Sequence, residues 1–243
     1  MTDGRAKEMG NFPWTKAPDA VVCNFALGDL INNLPRQLTV NGRIHAETLI
    51  AAAGAIAGYA AQQTLLSDIV RDAVSPERIG IQIVATKSGE QFYFGDALNV
   101  RLFARGAEEA HERLWPLVAG AALACGLRQE AIPQVGPMFE HVARTVGSQA
   151  EGFPSLSDAR PQRPARDLLK AVWPLALQCF NGELSGKVLQ DKTPVTPRWR
   201  PAIAAIAANR FIRDVQSVLP PGKAVIVLFE SAIYASKLKL QLG

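Results

Sequence analysis

From Thr48 to Ser67 the sequence runs for twenty residues without a charge, flanked by Glu47 on one side and Asp68 on the other. Alanine dominates this run, β-branched residues are few, and no proline or turn dipeptide interrupts it. The pattern predicts one long, buried helix over 45–74, despite the cost of Gly54 and Gly58. At about 1.5 Å per residue such a helix reaches roughly 45 Å. A globule of this length has a diameter of about 45 Å, so the helix would cross the whole domain. About 20 apolar residues also suffice to cross a bilayer. Here, however, Ala and Gly supply most of the run, only Leu49, Ile50, Ile56, Leu65 and Leu66 are strongly apolar, and Gln62 and Gln63 would place two amides in lipid. The expectation is a core helix and no membrane span. Gly54 and Gly58 form a small-xxx-small step at which another backbone can come close. That backbone belongs either to the same chain or, alternatively, to a second copy.

The other elements follow from shorter patterns. Residues 1–17 read as a flexible lead-in with Phe12 and Trp14 as an anchoring pair. A helix is expected from Pro18, with Val21, Val22, Phe25 and Ala26 on one side, ending at Asn32-Asn33 before Pro35. Asn41-Gly42 is a turn signal. After Ser75-Pro76 the period changes from helical to alternating, and 79–94 predicts an antiparallel β-hairpin turning at Lys87–Glu90. Residues 97–104 fit a short helix, or Val100 to Phe103 a third strand. Further helices are expected at 107–126, kinked by Pro116, at 137–149, and at 164–180, kinked by Pro174. Pro194, Pro197 and Pro201 should keep the segment before Ala202 extended. Residues 202–219 are helical by spacing; in 224–242 the run VIVLF fits a strand, but its length and sequel favour helix.

The predicted fold class is therefore mainly α (α+β in the strict sense): a helical core around 45–74 with one small antiparallel hairpin near 79–94. Residues 18–149 make a helical body with the hairpin. Residues 150–165, rich in Pro, Ser, Gly and Arg, read as a linker. Residues 166–243 form a basic helical part packed on the body as one unit.

Composition narrows the picture. A chain of 243 residues that is 48% hydrophobic can bury a sizeable core. Cys23, Cys125 and Cys179 are odd in number, widely spaced and set among apolar residues, as expected of small buried hydrophobes in a reducing compartment. The polar N-terminus lacks the apolar stretch of a secretory signal, so the expected location is cytoplasmic. Charge is uneven: residues 151–243 carry 13 Lys/Arg against 7 Asp/Glu, whereas residues 1–150 carry 13 against 15.

Candidate chemistry is sparse. Asn41, Arg43, His45 and Glu47 cluster where the long helix begins; such a group at the mouth of an apolar core can bind a small molecule, or simply cap the helix. Tyr93, Asp96 and Asn99 form a second group beside the hairpin, readable as a binding edge or as a cap. Glu108-x-x-His111 has the spacing of a di-iron half-site but lacks a second copy, and a solvated helix start explains it better. Gly182–Val188 resembles a P-loop with one residue too few and Val where Ser or Thr must hold magnesium, so it is rejected. No metal site, cofactor or catalytic residue is assigned, and the balance leans away from an enzyme.

The expected function is a non-catalytic binding or assembly role, with self-association as a homodimer and a small-molecule ligand as the partners. An enzyme acting on a small metabolite near His45 and Glu47 is the alternative. Nucleic-acid binding through Arg160, Arg163, Arg166, Arg198, Trp199, Arg200, Arg210 and Arg213 is the weaker one, because these charges are spread over irregular segments without a recognition motif.

Overall fold

A computed structural model describes residues 12–87, 89–103, 109–185 and 194–240. Among these are eight α-helices and a two-stranded antiparallel sheet: α1 (Ala20–Leu38), α2 (Ala46–Arg71), β1 (Gln82–Ala85), β2 (Gln91–Phe94), α3 (Asp96–Leu102), α4 (Leu114–Ala124), α5 (Val135–Thr145), α6 (Ala165–Phe180), α7 (Arg200–Val215) and α8 (Pro221–Ala235). The protein is mainly α with one small β-hairpin, as its sequence pattern predicts.

The charge-free run is α2, and every residue from Thr48 to Gln62 is buried. Although α2 is long and apolar enough to cross a membrane, 89% of its most apolar window is covered by the rest of the chain. A helix that is apolar all round needs neighbours all round. α8 and α7 supply the largest contacts, followed by α6, α3 and α1. One hydrophobic core draws buried side chains from all eight helices, from Trp14 through to Leu238.

The small residues of α2 let these neighbours approach closely. A Cβ on Gly54 would stand 2.1 Å from the Leu228 carbonyl oxygen, and one on Gly58 would stand 2.0 Å from the Ala232 carbonyl oxygen. The obstructing atoms are backbone, so no side-chain rotation could relieve the clash. Of the two readings of the glycine step, the occupant is therefore a helix of the same chain: α8 fills it.

The polar groups of α2 serve the same joint. The Gln62 amide donates to the carbonyls of Ser236 and Leu238, at 2.9 and 2.7 Å, just where α8 runs out of intrahelical partners. The Tyr59 hydroxyl donates to Leu240 O at 2.9 Å. Thus fixed, residues 237–239 pair with β2: Tyr93 N–H donates to Lys237 O at 2.7 Å, and Lys239 N–H to Gln91 O at 3.3 Å. The hairpin, with Ile83 opposite Tyr93, is attached to the core through this tail. Arg166 of α6 completes the attachment, bonding Glu90 beside β2 and Glu151 at 2.8 Å, while Tyr234 of α8 also donates to Glu151.

Of residues 150–165, those up to Pro164 lack regular structure but are fastened along their length, and Ala165 already begins α6. Ser155 N–H donates to the Glu230 carboxylate at 2.6 Å, and Gln162 N–H to Thr48 Oγ1 at 3.0 Å. Residues 1–11 of the expected lead-in lie outside the described residues. Its anchor is well defined: Trp14 is fully buried, stacks on Phe12, meets Trp199 edge-on and donates to Asn24 Oδ1 at 2.9 Å.

Several boundaries differ from the pattern-based reading, mostly at prolines. α1 runs past Pro35 to Leu38, and Thr39 Oγ1 donates to the Pro35 carbonyl at 2.9 Å. Val21 is exposed, and the buried side is Val22, Cys23, Ala26, Leu27, Leu30 and Leu34. The helix expected from Ala107 starts at Leu114, which places Pro116 in its first turn, where no N–H is required, rather than at a kink. Pro197 and Pro201 likewise open helical turns instead of holding the chain extended. Asp96–Leu102 form helix α3 rather than a third strand, Ala104 lying outside the described residues, and VIVLF lies within α8.

The glycine step makes a contrast that unfolding can measure. Gly58→Ala is expected to destabilise by about 3 kcal/mol or more through overpacking against backbone. In α1, nothing lies within 4 Å of a Cβ on Gly28, so Gly28→Ala should stabilise by about 0.5–1 kcal/mol. Denaturant midpoints of the two variants moving in the same direction would contradict the packing described.

Candidate functional site

Beyond Gln62 the cover over α2 opens, and its floor is lined by Ala61, Thr64 and Leu65. Two adjoining cavities share Arg101 of α3 and Arg113 just before α4. The smaller, about 190 Å³, is closed by Glu112, Arg198 and Pro201. The larger, about 500 Å³, is walled by Ile79, Ala97 and Val100, with Asp96 and Glu109 as its acidic members.

Local structure explains how three arginines converge here. α3 rests on α2, and Arg101 Nη2 bonds Asp68 Oδ2 at 2.7 Å; Asp68 is also held by Arg71 at 3.0 Å. Arg113 Nε bonds Glu109 Oε2 at 3.3 Å. Thr64 Oγ1 reaches the carbonyls of Ala60 and Pro197, both at 2.9 Å, and so ties the turn that carries Arg198 to α2. The Arg198 guanidinium lies 4.1 Å from the Trp199 ring centroid, a cation–π contact that steers it without using its donors. A guanidinium offers five N–H groups in a fixed fork. Among the described residues, the only buried side-chain polar atoms without a partner are Arg166 Nε and Asn209 Oδ1. Arg101 and Arg113 are not among them: each keeps part of its side-chain surface exposed, 27% and 20%, and lines the cleft.

The smaller chamber is lined by Arg101, Arg113 and Arg198 and by one acid, Glu112, while Asp68 and Glu109, outside that lining, pair with Arg101 and Arg113. In the larger one, Asp96 and Glu109 balance Arg101 and Arg113.

The residues singled out from sequence divide into two places. Asn41 and Arg43 lie on an exposed turn, with Asn41 and Gly42 both in the left-handed region at φ 51° and 73°. His45 is the residue before α2, its Nδ1 3.2 Å from Glu47 Oε2 and 3.1 Å from Thr48 Oγ1. This group lies about 24 Å along α2 from Ala61, so it takes no part in the cleft. Asp96, in contrast, lines the larger chamber. Asn99 accepts from Lys237 Nζ at 3.3 Å, and Tyr93 is half-buried, its hydroxyl pKa raised by burial.

Spacing alone does not reveal Arg101, Arg113 or Lys237. The arginines come from separate elements, and only Arg198, beside Trp199, stood out as part of a basic, aromatic stretch. In that stretch Trp199 is 6% exposed; Arg166, in α6, is held in ion pairs with Glu90 and Glu151. Of the Glu108-x-x-His111 pair, Glu108 lies outside the described residues, as do Gly186–Val188. Among the described residues no group of three His, Cys, Asp or Glu is placed to hold a metal ion.

Comparison with protein-family models, with curated proteins and with solved structures yields no match.

Lys237 is only 3% exposed and lies over the rings of Phe94 and Phe139, at 4.9 and 5.9 Å. Burial lowers its pKa to about 8, against the opposing pull of Asp96. Between about 8 and its ordinary value of 10.5, the unfolded chain binds a proton that the folded chain does not. Stability should therefore rise with pH through that window. Lys237→Met is expected to remove this rise and to increase the melting temperature at pH 7; an unchanged difference between pH 7 and pH 10 would contradict it.

Proposed function

We propose that this chain is a non-catalytic binding protein whose cleft takes a small anion. The observation that carries this reading is the convergence of Arg101, Arg113 and Arg198 on a chamber of about 190 Å³. Their partners are arranged to hold the side chains rather than to neutralise every donor. Planar forks of this kind suit carboxylate or phosphate, which they bind bidentately. The chamber also lies within the core-forming part of α2, so its floor is rigid and little ordering is required on binding.

Binding rather than catalysis is favoured by what surrounds the arginines. Among the described residues no histidine, cysteine or lysine lines either chamber, and of the acids there Glu109 is paired with Arg113. A bound anion would thus meet strong donors but no paired acid and base.

Titration calorimetry with sodium phosphate and with sodium acetate tests the reading. Saturable 1:1 binding is expected, weakening as sodium chloride is raised. Arg113→Ala and Arg198→Ala should each weaken it by roughly tenfold, the effect of losing one charge-assisted hydrogen bond. Absence of saturable heat from either salt up to about 10 mM would overturn the proposal.

A further inference from the structure

The cleft has a second chamber that an inorganic anion would leave empty, and its walls differ from those of the first. On the side away from Arg198, Leu65 forms the floor while Ile79, Ala97 and Val100 stand half-buried around it. Half-buried apolar side chains around a concave space of about 500 Å³ are what a hydrocarbon body covers. The polar members of that chamber give no place for a second anionic group. Asp96 and Glu109 would repel one, and Arg101 and Arg113 stand at the junction, where their forks serve the first.

Resting on the anion-binding reading above, we infer that the ligand is a small amphiphilic acid, with one anionic head and a compact apolar body. The head sits between the three arginines, and the body passes the Arg101–Arg113 junction and lies along Leu65 and Val100. The shared junction fixes the order of the two parts. It also excludes polyanions, because a second charge would fall beside Asp96. Affinity then comes from two separable sources: the arginines read the head, and the length of the body sets how much apolar surface leaves water.

The test is a homologous series of straight-chain alkanoates, from acetate through butanoate and hexanoate to octanoate, titrated into the full-length protein and scored by competition with bound phosphate. Affinity should climb by roughly three- to fourfold for each added methylene until the larger chamber is filled. Hexanol and hexylamine should not displace phosphate. Val100→Trp, which fills the larger chamber, should flatten the series from butanoate upward, and a slope unchanged in this variant would overturn the placement of the body. A series that is flat in the unmodified protein overturns the amphiphile and leaves the anion site standing. Failure of acetate and phosphate alike removes both. Displacement of phosphate by hexanol as readily as by hexanoate would also overturn the inference, because the head would then carry no recognition.

Discussion

Everything in this fold depends on two helices touching backbone to backbone. Gly54 and Gly58 of α2 face the carbonyls of Leu228 and Ala232 in α8 with no room for a single methyl group. Such an approach gains dispersion contacts along its whole length, because no side chain holds the backbones apart. It also sets positions elsewhere. With α8 seated on α2, the carbonyls at its end fall where Gln62 can bond them, and the following residues fall beside β2. The hairpin, weak on its own as any two-stranded sheet is, gains its support from this chain of contacts.

The same geometry produces the cleft. Up to Gln62, α2 is enclosed by helices; beyond it, the neighbours are α3, the turn before α4 and the turn ahead of α7, none of which can cover a helix as a long helix does. The opening is lined by whatever those short elements carry. Here they carry Arg101, Arg113 and Arg198, each positioned by a neighbouring acid or ring. The cleft thus sits where the enclosure of the central helix ends, on a floor shared by Ala61 of the main core and Leu65 of a smaller cluster with Ile69, Ile81 and Leu98.

The long helix, the glycine step and the hairpin were legible in the sequence because each is a local pattern. An uncharged, alanine-rich run has few alternatives to a buried helix, and the change from helical period to alternation at 79–94 has a direct structural meaning. Proline is the least direct signal. Pro116, Pro197 and Pro201 suggest interruptions in the pattern, but each lies in the first turn of a helical element, where the missing N–H costs nothing. The start of α2 attracted notice because Arg43, His45 and Glu47 are close in sequence. The cleft was hidden for the opposite reason: residues 64, 101, 113 and 198 meet only after the chain has folded, and no spacing rule joins them. Asp96 belonged to both pictures, since the short helix that it opens also carries Arg101.

The central claim is that one core, seated on the α2–α8 contact, supports the whole chain and the floor of the cleft. Native-state hydrogen exchange measures this residue by residue. The amides of residues 48–62 and of α8 should exchange slowest, together, with the free energy of global unfolding, while the turns carrying Arg113 and Arg198 open at lower cost. If α6, α7 and α8 instead opened as one unit separate from α1–α5, at a free energy clearly below that of α2, the account would be contradicted.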